Sequence, residues 1–171
     1  IRYATRIDDA LQHGEYTMTL SGPPAGGVMN DTRIAALQDM PIFGGLRPDV
    51  LAALIAGARM VDMPKGGFFF HQDDDAASMF VLEAGEVAVL RRWEGQHLTL
   101  GHLREGDCFG EMALIDLFPR SATVQAVEAC NAIELSTASF QALAQLDIEQ
   151  FALLHMNIAR ELSRRLRVAD D

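Results

Sequence analysis

Between residues 59 and 136 the chain runs as a train of short segments rich in β-branched and aromatic residues, and few folds accept such a train. Segments 59–63, 68–71, 79–83, 86–93, 96–103, 108–109, 120–129 and 132–136 have strand character. Gly66-Gly67, Ala84-Gly85, Glu94-Gly95 and Glu105-Gly106-Asp107 stand between them as tight turns. Strands this short cannot bury an apolar face singly, so they must curl on one another through hairpins. The expected architecture is mainly β with flanking helices, built as an eight-stranded antiparallel jelly-roll barrel. A short helix near residue 112 interrupts the train, which a plain sandwich does not contain.

Helical periodicity frames the strands on both sides. Asp31 or Thr32 can cap a helix over 33–40, Pro41 breaks it, and Pro48 at a first-turn position starts another over 49–58. Downstream, Thr137 can cap a helix over 138–146, and a longer one runs from 148 to about 168. On that last helix Ile148, Phe151, Leu154 or His155, Ile158, Leu162 and Leu166 recur at helical spacing as one apolar stripe. The basic group Arg160, Arg164, Arg165 and Arg167 reads as a solvated final turn favoured by the helix dipole. Segment 21–31 is a linker by its Gly and Pro content, which divides the chain into an extension over 1–20, the linker, and a domain over 32–171. The extension is too short to hold a core, and a start at Ile1 rather than Met reads as a piece of a longer protein.

The stretch 109–124 carries the chemistry. A glycine opening a helix at Gly110 leaves backbone N–H groups without intrahelical partners, and such an end attracts anions. Arg120 can return to the same place as a bidentate phosphate clamp. Glu111 is then anomalous, because an acid beside an anion is unfavourable unless it faces another group. A ribose hydroxyl would satisfy it as a hydrogen-bond donor.

With Phe109-Gly110-Glu111, Ala113-Leu114 and Arg120-Ser121-Ala122-Thr123-Val124, this stretch resembles the phosphate-binding cassette of the cyclic-nucleotide-binding domains. The helical lead with its Pro41, Phe43 and Leu46 break resembles the same family, and the resemblance spans about residues 33–171. It implies a regulatory sensor that binds cAMP or cGMP, with cAMP preferred from the Arg-Ser-Ala form of the cassette. It implies a site of Phe109, Gly110, Glu111, Met112, Ala113, Arg120, Ser121 and Ala122. Gly110 and Ala113 would offer backbone contacts, Glu111 would bind the ribose hydroxyl, and Arg120 would pair with the cyclic phosphate. Ser121 and Ala122 would close the pocket, while Met112 and Leu114 read mainly as core residues, one of them reaching sugar or base. The last helix would cover the base, with Asn157 or Arg160 as cap, form a homodimer contact, and transmit occupancy to a partner domain or subunit. Where the family carries glycines after its second strand, this chain has Gln72-Asp73-Asp74-Asp75-Ala76-Ala77, in which aspartate tolerates positive φ. A second pattern, Asp8 or Asp9 with Ala10, Leu11 and Glu15, resembles the end of a sulfate-transporter or anti-sigma-antagonist domain. That implies a cytoplasmic domain, here the cytosolic part of a larger membrane protein.

Charge and composition restrict the alternatives. With 24 acidic against 14 basic residues and a formal charge of −10, the chain opposes duplex DNA, so no nucleic-acid partner is expected. No recognition helix follows before Asp171. No apolar run reaches ~20 residues, so no membrane span is expected. Cys108 and Cys130 lack metal-site or disulfide spacing and read as reduced core thiols. A cupin-like metal enzyme needs converging imidazoles, yet His97 and His102, five apart, should point to opposite faces of a strand, and His71 stands alone. No nucleophile with a recognisable base is present either, so no catalytic residue and no metal is expected. A degenerate interaction module that binds no nucleotide is the third alternative, opposed by the intact Glu111 and Arg120.

Overall fold

The computed structural model describes residues 19–21 and 31–169. The N-terminal pattern around Asp8 to Glu15, and nearly all of the linker, lie outside the described residues. The elements are β1 (Thr19–Ser21), α1 (Asp31–Gln38), a 3₁₀ turn (Pro41–Phe43), α2 (Pro48–Ala56), β2 (Arg59–Met63), β3 (Phe68–Phe70), β4 (Ser78–Ala84) and β5 (Glu86–Trp93). They continue with β6 (Gln96–Arg104), β7 (Cys108–Phe109), α3 (Met112–Asp116), β8 (Thr123–Ala126), β9 (Cys130–Ser136), α4 (Thr137–Leu146) and α5 (Ile148–Ala169).

The strands form two antiparallel sheets, ordered β1-β2-β9-β4-β7 and β3-β8-β5-β6. The jelly roll is therefore present, but it does not close into a barrel. Each sheet keeps free edges, and a ninth strand, β1, pairs with β2 from Thr19↔Asp62 to Ser21↔Met60. β8 is shorter at both ends than the 120–129 its sequence suggests, and at its start Arg120 is drawn out of the ladder. Its backbone N–H donates to the Asp74 carbonyl at 2.9 Å and its carbonyl accepts from Asp73 N at 2.9 Å. Asp73 sits at φ +71°, so aspartate does replace glycine in that loop.

The five-stranded sheet is buried on both faces. Met79, Val81, Cys108, Ile133 and Leu135 pack under the helices, while Phe80, Leu82, Phe109, Cys130 and Ala132 face the other sheet. This explains why Met79–Leu82 is a continuous apolar run rather than an alternating one. Three layers result: helices, inner sheet, outer sheet. Ser136, not Thr137, caps α4, accepting from Ser139 N at 3.2 Å. Asp147 caps α5 by accepting from Glu149 N and Gln150 N, both at 3.1 Å.

On α5 the apolar stripe is corrected at both ends. Leu154 and Ile158 are fully buried, whereas Ile148 and Leu166 are exposed. Asn157 and Glu161, at 7% exposure each, share the buried face instead. A bulge between Val89 and Leu90 of the β5–β6 pairing sets His97 opposite Arg92 and His102 opposite Ala88. Those partners lie four apart on β5, so the two histidines share a face, contrary to the plain alternation expected of them.

Candidate functional site

β7 is the pivot of the site. Its two residues alternate, sending Cys108 into the helical layer and Phe109 between the sheets. The chain then turns at Gly110, whose φ of +77° favours glycine. A Cβ there would also lie 2.5 Å from Arg120 Nη1 and 3.2 Å from the Phe70 ring. Glycine is thus required by conformation and by the close approach of the arginine. α3 follows as only five residues, so the charge of the site comes from side chains more than from a helix dipole.

Arg120 is 6% exposed. Its Nη1 donates to the Gly110 carbonyl at 2.9 Å, its Nη2 reaches Ser78 Oγ at 3.4 Å, and its Nε has no partner among the described residues. The guanidinium lies 4.0 Å above the Phe70 ring and 5.9 Å from that of Phe80. Among the described residues no carboxylate lies within ion-pair distance of it. Burial accordingly lowers its pKa, against the more distant fields of Glu134, Asp74 and Glu111. A buried cation with spare donors and no counter-ion is built for an anion.

Glu111 precedes α3 without capping it and is 4% exposed. Its Oε2 has no partner among the described residues, and its Oε1 lies 3.7 Å from Arg165 Nη1. Burial raises its pKa, opposed by the Arg165 and Arg120 charges. Ala113 and Ala122 are buried small residues, which leaves room above them. Met112 is 45% exposed at the rim of the site, not in the core as expected, while Leu114 packs on the helical layer. Ser121 is exposed, with its Oγ 3.6 Å from Met112 Sδ.

A cavity of about 700 Å³ brings these residues together, within the range of small-molecule sites. Phe109, Gly110, Glu111, Met112, Ala113, Arg120, Ser121 and Ala122 all line it. Phe70, Val89, Leu103 and Val124 supply an apolar wall, and Glu161, Leu162, Arg164, Arg165 and Leu166 of α5 form the opposite side. Neither cap candidate lines it. Asn157 Nδ2 instead donates to the carbonyls of Ile42 at 3.1 Å and Gly44 at 2.9 Å, tying α5 to the 3₁₀ turn. Arg160 donates to Asn157 Oδ1 at 3.2 Å.

Arg165 and Glu161 are site residues that the sequence reading missed. Arg165 is not a solvated last-turn cation: its Nη2 donates to the Cys108 carbonyl at 2.6 Å and its Nε to Glu161 Oε1 at 3.0 Å. The signal was available, since Glu161 and Arg165 continue the Leu154, Ile158 face at helical spacing. Among the described residues no group of His, Cys, Asp and Glu could hold a metal, and no helix is long and apolar enough to cross a membrane.

Comparison with known proteins gives this geometry a context. A family model described as the cyclic nucleotide-binding domain matches residues 60–147. The cyclic AMP receptor protein of Thermus thermophilus is 33% identical over 135 residues, covering 78% of this chain and 61% of that one. The cAMP-activated global transcriptional regulator CRP of Salmonella typhimurium is 32% identical over 110 residues, covering 63% and 50%. The chain thus spans half to three-fifths of the length of these relatives. The crystal structure of the Thermus thermophilus catabolite activator protein superposes with a TM-score of 0.66 at 34% identity, covering 76% of this chain and 60% of that one. A cyclic nucleotide-binding domain from Methylobacillus flagellatus, at 18% identity, shares the fold with a TM-score of 0.77, covering 89% and 85%. These relatives are named as receptors and regulators, not as enzymes, and the chain belongs with them to the cyclic nucleotide-binding domain family.

Proposed function

We propose that the domain is a sensor for cAMP, held in preference to cGMP, whose occupancy passes through α5 to a partner domain or subunit. The observation that carries the proposal is the Arg120 guanidinium, buried in the lining of the cavity with no carboxylate paired to it among the described residues. Arg120 takes the cyclic phosphate, Glu111 Oε2 accepts the ribose 2′-hydroxyl, and the base extends over the apolar wall toward α5. Relatives about one-third identical carry cAMP in their names, which supports that base. Exposed Met156, Leu166 and Val168 on α5 support a homodimer through this helix. We place the domain in the cytoplasm, downstream of a transporter or anti-sigma-antagonist-type domain and without a nucleic-acid partner of its own.

Titration calorimetry with cAMP and cGMP tests the reading. cAMP should bind more tightly. Arg120→Ala should weaken it ~100-fold or more, since two charge-assisted hydrogen bonds at about 1.5–3 kcal/mol each are lost. Cys130→Ala should leave affinity near that of the wild type. No heat with either nucleotide at millimolar concentration would overturn the function and leave the fold standing.

A further inference from the structure

A row of four side chains crosses the inner sheet on the face turned to the outer one. Arg59 of β2 stands opposite Glu134 of β9, Glu134 opposite Phe80 of β4, and Phe80 opposite Phe109 of β7. Residues paired in this way share a face. At one end the Phe80 and Phe109 rings stack with centroids 5.3 Å apart, and the Arg120 guanidinium lies 5.9 Å from the Phe80 ring. At the other end Arg59, its side chain 50% exposed, donates through Nε to Glu134 Oε2 at 2.7 Å and through Nη2 to the same oxygen. Glu134 thus stands between two guanidinium groups, with its own side chain only 12% exposed. Of the carboxylates acting on Arg120 it exerts the strongest field, ahead of Asp74 and Glu111. Neither Arg59 nor Glu134 lines the cavity.

A buried guanidinium with spare donors and a buried carboxylate on the same face attract each other, because little water screens them. Yet Arg120 Nε stays without a partner among the described residues, and Glu134 turns to the half-exposed arginine instead. We propose that Arg59 is a positioning residue that holds Glu134 aside, so that Arg120 keeps its donors for the anion of the ligand. The identity of the ligand rests on the cyclic-nucleotide reading; the arrangement of Arg59, Glu134 and Arg120 does not. Without Arg59, Glu134 becomes the internal counter-ion of Arg120, and a phosphate must displace it before binding. Apparent affinity scales with the fraction of molecules in which Arg120 is open, so closure in about nine molecules of ten costs about tenfold. The other two carboxylates are engaged elsewhere: Asp74 Oδ2 accepts from His71 N at 2.7 Å, and Glu111 Oε1 faces Arg165.

Calorimetry with cAMP compares the wild type with Arg59→Met, which keeps the apolar stem, with Glu134→Gln and with the double variant. R59M should bind roughly tenfold more weakly, E134Q at least as tightly as the wild type, and R59M/E134Q as tightly as E134Q. Rescue by the second substitution separates positioning from a merely structural role, because E134Q does not restore the lost ion pair. Wild-type affinity in R59M, or no rescue in the double variant, overturns the proposal. So does weaker binding by E134Q, which would make Glu134 a support of Arg120 rather than its competitor. A ligand-free measurement stands apart from the nucleotide reading: a double-mutant cycle between Arg120→Met and Glu134→Gln, followed by urea denaturation. Coupling should be slight with Arg59 in place and about tenfold or more in the folding constant in the R59M background. Equal coupling in the two backgrounds overturns the arrangement. If no nucleotide binds even the wild type, the ligand reading fails while this cycle still decides the role of Arg59. Should R59M not fold, Arg59→Gln carries both measurements.

Discussion

The Glu111 side chain is costly to the fold that carries it. Glu111 is held above the ordinary carboxylate value of 4.5 chiefly by burial, so the folded chain binds its proton more tightly than the unfolded chain does. Stability therefore falls as pH rises from the unfolded pKa through the folded one, and the full cost is present above both. Glu111→Gln should stabilise the protein at neutral pH, and the gain should vanish as pH falls below about 4.5, where both states are protonated. Urea denaturation at neutral and acid pH measures this. Gly110→Ala should cost about 2 kcal/mol or more, combining left-handed strain with overpacking against Arg120 and Phe70, and should abolish binding as well. Denaturation and calorimetry together would show both losses. Glu111 and Arg120 were legible in the sequence because nothing in folding asks for an acid and a base at those spots. Arg165 was not, because a cation in the last turns of a helix has an ordinary solvated explanation and only the crossing of α5 over β7 removes it. Met112 was misread for the converse reason: an apolar residue on a short helix looks like core until the cavity beside it is known.

At the scale of elements, α5 is held by polar bonds as much as by its apolar stripe. Asn157→Ala removes two hydrogen bonds to the Ile42 and Gly44 carbonyls and strands both acceptors, at about 1–3 kcal/mol. Because Asn157 does not line the cavity, the loss should appear in chemical denaturation while intrinsic affinity for nucleotide changes little. Most elements were legible from periodicity and glycine turns, since those signals are local. The errors fall where tertiary contacts override local preference. Arg120 has strand-like sequence around it but leaves the ladder to bond the 73–74 loop. Ser136 rather than Thr137 caps α4, because the Thr137 hydroxyl is drawn to the Ala77 carbonyl at 3.0 Å. The bulge around Leu100, which put His97 and His102 on one face, has no strong sequence mark beyond Gly101.

For the whole molecule, jelly-roll character and flanking helices followed from strand spacing, but closure did not. Nothing local in a strand says which edge stays open, and β1 lay in a segment read as extension and linker. Saturation with cAMP at about 100 times the wild-type Kd should stabilise the wild type by about 2.7 kcal/mol and raise Tm by roughly 5–10 °C, against a shift of about 1 °C or less in Arg120→Ala at the same concentration. Thermal denaturation at matched protein concentration checks it. The layered packing has a further, practical consequence. Both native thiols are interior, at 1% exposure for Cys108 and 2% for Cys130, and burial pushes the Cys108 thiol up to about 12. Neither presents a reactive thiolate to a dye. A single cysteine introduced at exposed Ser163 would then be the one labelling handle, and this protein becomes a scaffold for an optical reporter whose fluorophore rides on the helix beside the ligand.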